Sequence, residues 1–304
     1  MASVVLDKLT KWYGEEKKLA VDHVSLDIAA GELFGLIGPD GAGKTSIFRM
    51  LTTVLLPDEG GATVEGFDIV KDYKKIRNCV GYMPGKFSLY PDLTIGENLR
   101  FFATVFGTTI EENYELIKDI YDQIEKFKNR RAGKLSGGMK QKLALCCALI
   151  HKPAVLFLDE PTTGVDPVSR REFWEMLKKL QAQKITIVVS TPYMDEATLC
   201  DRIALMQEGK ILSVNTPGHI IQSYPDPLFE VKAGNMHALL KLIPQYPETL
   251  RGYAFGEYAH IAFRKSQSPE PAFEEFLTSK GLTDIEIRRT AVTIEDCFIK
   301  RLTD

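Results

Sequence analysis

The chain has 304 residues, 44% hydrophobic and 26% charged, an ordinary globular composition that is far too apolar for a disordered chain. Lysine and arginine total 38 against 41 aspartate and glutamate, a net charge of -3, so no basic surplus marks a nucleic-acid partner. The longest apolar runs, 143–150 and 154–158, fall short of the roughly 20 residues needed to cross a bilayer.

The first residues, MASVVLDKLTKWYGEE, lack the basic-then-apolar layout of a secretion signal. Five cysteines without C-x-x-C spacing read as reduced. The expectation is a cytosolic protein, in which any membrane-spanning part belongs to a separate chain.

Along the chain, short apolar runs at 4–9, 33–37, 155–158, 185–190 and 203–206 predict strands, several of them buried on both faces. Helical periodicity predicts helices over 44–55, 99–106, 113–127, 139–150, 169–181 and 193–200. Such alternation implies a layered α/β fold. The texture changes at 215–227, NTPGHIIQSYPDP, whose three prolines and glycine read as a linker between a domain at 1–214 and another at 228–304. The second part predicts a strand at 228–232, a helix at 236–243 and a hairpin over 250–265 around Phe255-Gly256-Glu257. A helix at 271–280, a strand at 284–289 and a last helix through IEDCFIKRL follow. That order is β-α-β-β-α-β, a small ferredoxin-like α+β module.

The strongest chemical signal is GPDGAGKT at 38–45, between an apolar strand and a helix. Gly38, Pro39, Asp40, Gly41, Ala42, Gly43, Lys44 and Thr45 satisfy G-x-x-x-x-G-K-[ST], and Ser46 follows in the same turn. Glycines let the backbone N–H groups converge into an anion nest, and the helix N-terminus adds its positive dipole end. Lys44 can neutralise outer phosphates, and the Thr45 hydroxyl can ligate Mg²⁺. Further on, AVLFLDEP at 154–161 runs a buried strand into two acids. Asp159 stands where a carboxylate holds Mg²⁺ directly or through water, and Glu160 can orient or deprotonate an attacking water.

Between these two sites lies LSGGMKQKLALCCALI at 135–150, in which Ser136 reads as the N-cap of an amphipathic helix. LSGGMKQ closely resembles the signature motif of ATP-binding cassette (ABC) ATPases. The motif order strengthens the likeness: Tyr13 resembles the aromatic residue on which adenine stacks, and Asp166 in TTGVDP matches the D-loop aspartate. The resemblance covers 4–214 and implies a P-loop NTPase cassette with a helical signature subdomain at about 86–150. The stretches LYPDLTIGENLRFFA, RRAGKLSGGMKQKL and IEDCFIKRL are similar to the ATPase subunits of ABC-2-type exporters, the drug-resistance group, many of which carry a small accessory domain.

That resemblance implies an ATP- and Mg²⁺-dependent ATPase on the cytoplasmic face of a membrane, energising export through a separate ABC-2-type permease. It also implies head-to-tail pairing with a second cassette, identical or not. Each nucleotide is then held by Lys44 and its loop from one chain and by Ser136, Gly137 and Gly138 from the other. Two positions depart from the family. Gly85 in Tyr82-Met83-Pro84-Gly85 stands where a glutamine is usual, and Pro192 in Ser190-Thr191-Pro192-Tyr193 where a histidine is usual. Losing one or two positioned donors can cost ~100-fold in rate, so slow hydrolysis is expected, unless this subgroup positions water differently.

The competing classes are a soluble non-transport ABC protein, on a ribosome or DNA, and a P-loop GTPase or small-molecule kinase. The single cassette, the slightly acidic balance and the lack of a heptad insertion between Lys44 and Ser136 argue against the first. LSGGMKQ and the absence of N-K-x-D argue against the second.

Overall fold

A computed structural model describes residues 1–264 and 269–303. It divides into two compact units, Met1–Pro217 and Gly218–Asp304.

In the first unit, a six-stranded sheet runs in the order Lys210–Asn215, Arg202–Gln207, Leu33–Ile37, Thr186–Thr191, Val155–Asp159, Val80–Met83. All its pairings are parallel except the first, which is antiparallel. Leu33–Ile37, Val155–Asp159 and Thr186–Thr191 are buried at every residue, as strands covered on both faces must be. Register brings their C-terminal ends together: Ile37 pairs with Thr191, and Asp159 with Ser190. The phosphate loop and the acid pair therefore leave the sheet at one edge, the place where open α/β sheets bind ligands.

A second, antiparallel sheet of Lys18–Ala29, Ala2–Tyr13, Glu59–Val64 and Phe67–Asp68 shares the same core. Val4, Leu6, Val21 and Ile28 pack in one cluster with Ile47, Phe48 and Phe157. Sequence patterning shows only the start of this sheet. Register shifts interrupt the alternation of its two long strands, and Glu59–Val64 opens on a Gly60-Gly61 pair of poor strand propensity. Gly60 is nonetheless required, because a Cβ there would sit 2.0 Å from the Lys8 carbonyl oxygen.

The helices Ile95–Val105, Tyr114–Glu125 and Gly137–Leu149 occupy the stretch expected to be a helical subdomain. Thr94 and Glu97 form a reciprocal capping box on the first of them. Fully buried Asn98 accepts from the Tyr90 N–H and donates to the Tyr90 and Thr94 carbonyls, fixing the preceding turn.

Two expectations need correction. The helix expected to reach residue 55 ends at Leu51, where Thr52 bonds back to the Phe48 carbonyl and Thr53 adopts a positive φ of 61°. The helix expected over 193–200 is a single 3-10 turn, Glu196–Leu199, since Pro192 interrupts the chain and the Tyr193 N–H is taken by the Thr191 hydroxyl. The stretch 215–227, expected as a linker, contains the short helix Pro217–Gln222.

The second unit is a four-stranded antiparallel sheet in the order Thr249–Phe255, Tyr258–Phe263, Leu228–Lys232, Glu286–Thr290. With the helices Met236–Leu242 and Glu270–Ser279 it follows the β-α-β-β-α-β order. Its core gathers Phe229, Leu239, Ile261, Phe263, Phe273 and Leu277. The hairpin turns through Gly256-Glu257, with Gly256 at φ 58°; Lys265, its expected end, lies outside the described residues.

The last helix, Ile294–Thr303, is anchored by buried Asp296. Its carboxylate accepts from the Tyr253 hydroxyl at 2.6 Å, from His260 Nδ1 at 2.7 Å and from the Thr293 N–H and hydroxyl at 2.7 Å each. Burial alone would raise this carboxyl, but the hydrogen bonds from His260, Tyr253 and Thr293 outweigh it and hold it below the ordinary range. A depressed folded-state value stabilises the unit above the unfolded pKa of about 4, and that stability drains away as pH falls through the folded value. The protection factors of the Tyr258–Phe263 amides against hydrogen exchange should therefore fall below about pH 4. Asp296→Asn should cost about 1–3 kcal/mol at neutral pH and flatten that acid dependence.

Candidate functional site

The phosphate loop leaves strand Leu33–Ile37 and enters helix Lys44–Leu51. Two of its glycines are required by close approach. A Cβ at Gly38 would lie 2.2 Å from the Met206 carbonyl oxygen, and one at Gly43 would lie 2.2 Å from that of Ala20. Gly43 is also left-handed, at φ 103°. The first turn of the helix holds no acidic side chain, so its free N–H groups face the loop without a competing carboxylate. Phe48 packs edge-on to Phe157, with ring centroids 5.6 Å apart, which seats the helix over the strand that carries the acids.

Lys44 is 3% exposed. Its ammonium donates to the carbonyls of Gly38 at 2.8 Å and Pro39 at 2.9 Å, and stands 3.4 Å from Glu160 Oε1. A buried ammonium beside one half-exposed carboxylate suits a strongly anionic ligand. Asp40, Gly41, Ala42, Gly43, Lys44, Thr45, Ser46 and Glu160 line one open pocket with Ala20.

Asp159, the last residue of its strand, is 2% exposed. Its Oδ1 accepts from the Thr45 hydroxyl at 3.1 Å and from the Ser190 hydroxyl at 2.6 Å. A hydroxyl and a carboxylate at contact distance form a hard oxygen donor pair of the kind Mg²⁺ takes alongside phosphate oxygens. Glu160 turns the chain out of the strand with a positive φ of 49°, a conformation costing of order 1–3 kcal/mol for a residue with a side chain. The turn is held by Glu160 N–H bonds to the Ser190 carbonyl at 3.1 Å and hydroxyl at 3.0 Å. Ser190, fully buried, thus positions both acids. Sequence reading treated it only as a strand end; a serine closing an otherwise apolar strand was the available signal.

Tyr13 lies at the same loop, its hydroxyl 3.2 Å from Ser46 Oγ and its ring half exposed. Ser136, Gly137, Gly138 and Asp166 do not line the phosphate pocket of their own chain. They belong to a second surface. Ser136 caps helix Gly137–Leu149 through the Met139 N–H, and Asp166 caps helix Pro167–Ala182 through the Ser169 N–H. The two caps abut: a Cβ at Gly138 would meet Ser169 Oγ at 2.7 Å, and one at Gly137 would meet the Gly164 carbonyl at 3.5 Å.

Gly85 backs directly onto the acids, its Cβ position 3.1 Å from the Asp159 carbonyl oxygen and 3.7 Å from Glu160 Cβ. It offers no side-chain donor there. Pro192 offers none either, and its neighbours are otherwise engaged. The Thr191 hydroxyl donates to buried Glu196 at 2.6 Å, and Glu196 is gripped by Arg170 at 2.9 and 3.1 Å.

Comparison with known proteins matches this arrangement. The family model described as "ABC transporter" covers residues 21–163. The chain is 39% identical, over 99% of its length, to the "Probable multidrug ABC transporter ATP-binding protein YbhF" of Escherichia coli, but spans about half of that relative, 52%. It is 34% identical to the Nod factor export ATP-binding protein I of Burkholderia lata, over 99% of this chain and 97% of that one. Among solved structures, a dimeric ATP-binding cassette in a post-hydrolysis state with ADP and Pi superposes with a TM-score of 0.64 at 28% identity, covering 70% of this chain and 98% of that one. The chain belongs to the ABC transporter family as one of its ATP-binding proteins.

Proposed function

We propose that this chain binds and hydrolyses MgATP between two cassettes and thereby drives export through a separate ABC-2-type permease at the cytoplasmic membrane face. The observation that carries this reading is the separation of two half-sites on one chain. The pocket of Lys44 and Glu160 lacks Ser136–Gly138, while those residues and Asp166 crown two helix N-termini elsewhere. A triphosphate in the pocket meets a second set of amide donors only when another cassette supplies it.

Within the pocket, Tyr13 offers a ring face for the base, while Lys44 and the loop amides take the phosphates. Thr45 and Asp159 would hold Mg²⁺, which offsets phosphate charge as the leaving group departs. Glu160 orients a water and takes its proton as the water oxygen bonds to the γ-phosphorus and the bond to the β-phosphate oxygen breaks. Hydrolysis removes the bridging charge, so the pair loosens.

The permease contact is assigned to the stretch 85–106. A groove of about 430 Å³ is lined there by Gly85, Phe87, Leu89, Phe102 and Val105. Phe87, Tyr90, Phe101 and Val105 are exposed, an apolar concentration typical of a protein interface. Gly85 lines this groove and also backs onto Asp159, so an occupant of the groove sits one residue from the acids.

Glu160→Gln should lower hydrolysis at least ~100-fold while stabilising an ATP-dependent dimer in analytical ultracentrifugation. Failure of ATP to pair the variant, or to bring Lys44 and Ser136 of different chains within crosslinking reach, removes the two-cassette reading. Purified protein without its permease should turn over slowly, because Gly85 and Pro192 supply no donor to the reacting phosphate. Turnover matching that of cassettes with both side chains refutes this. Ser190→Ala removes a hydrogen bond to the charged Asp159 worth about 1.5 kcal/mol; the Mg²⁺ concentration for half-maximal hydrolysis should rise about tenfold, with ATP binding in the absence of metal unchanged.

A further inference from the structure

In a chain of net charge -3, the turn 126–134 is a local exception. Lys126, Lys128, Arg130, Arg131 and Lys134 fall within nine residues, KFKNRRAGK, with no acidic residue among them, and all five are exposed. Among the described residues, none of the five has a carboxylate partner within ion-pair distance, in contrast to the many surface cations that do, such as Lys142 and Lys179. Glu97, whose charge reaches Arg131, is committed to the capping box through the Thr94 N–H and hydroxyl. Five like charges with one nearby carboxylate, Glu97, acting on Arg131 leave the turn strongly positive, which suits it to an anionic partner.

The turn is also rigidly placed. Its backbone is stitched to the preceding apolar segment by bonds from the Ile95 N–H to the Arg130 carbonyl at 3.1 Å, from Gly96 to Lys128 at 3.0 Å, from Ala132 to Leu93 at 2.8 Å and from Gly133 to Pro91 at 2.8 Å. Beside Pro91 stands exposed Tyr90, packed on exposed Phe101 with ring centroids 4.8 Å apart. These aromatics belong to the stretch assigned to the permease contact, so the cations of the turn border that contact, where phosphate headgroups surround a membrane-embedded partner.

We propose that the turn 126–134 docks on the anionic phospholipid headgroups of a membrane. The phosphodiesters of a nucleic acid are the disfavoured alternative, because Phe127, the aromatic ring within the turn, is half-buried. Its ring also carries its own cations, Arg130 at 4.5 Å and Lys126 at 5.2 Å, which compete with a base for stacking. The proposal rests on the export reading for its orientation only, since the headgroup contact requires neither ATP nor permease.

Co-flotation of the full chain, without nucleotide, with vesicles of phosphatidylcholine alone or mixed with phosphatidylglycerol tests it. Binding should appear only on the anionic vesicles and weaken with added salt. Each neutralised cation should weaken it about fivefold, so Lys126→Gln, Lys128→Gln and Arg130→Gln combined should weaken it about 100-fold with an unchanged melting temperature and basal ATPase rate. Absence of binding to anionic vesicles, equal binding to neutral ones, undiminished binding of the triple variant, or tighter binding to polyuridylate at the same salt each overturns the proposal. Because ATP-driven dimerisation is measured separately with Glu160→Gln, failure on vesicles leaves the two-cassette reading standing, and the reverse also holds.

Discussion

Asp159 is a carboxylate with almost no access to water, held between two hydroxyls that come from different elements. Thr45 brings the phosphate loop to it, and Ser190 brings the neighbouring strand. A buried carboxylate must be hydrogen-bonded or bound to a cation, so the position of Asp159 ties three segments far apart in the chain into one constellation. Parallel register between Val155–Asp159 and Thr186–Thr191 sets this geometry before any side chain is considered.

The same constraint explains the strain at Glu160. The strand must stop at the acid pair for Asp159 to face the loop, and the left-handed turn that follows throws Glu160 back toward Lys44. Ser190 compensates by accepting the Glu160 N–H while it donates to Asp159. Local strain is thus offset by hydrogen bonds from the adjacent strand, and the acids are held in place by a rigid sheet rather than by a loop.

The signature surface obeys a different economy. Ser136 and Asp166 each cap a helix, and glycines at 137 and 138 let the two caps approach. Their amides and hydroxyl are consequently presented outward, away from the pocket of their own chain. Gly85 and Pro192 add no side-chain donor to the edge that carries the acids. Gly85 also lines the apolar groove, so the groove reaches the residue that backs onto the acids.

By itself, the sequence showed where the candidate site lies: a glycine-rich loop between strand and helix, an acid pair at a strand end and a capped helix are local patterns, each confined to a few neighbouring residues. It also showed the β-α-β-β-α-β order of the second unit, whose short elements alternate cleanly. The antiparallel sheet of the first unit was largely hidden, since bulges break its alternation and glycines dilute it. Only tertiary structure decided that Ser190 positions both acids, that Tyr13 reaches Ser46, and that Ser136 stands apart from Lys44 in one chain. Those facts depend on register and crossover between distant segments, which no local pattern of side chains encodes.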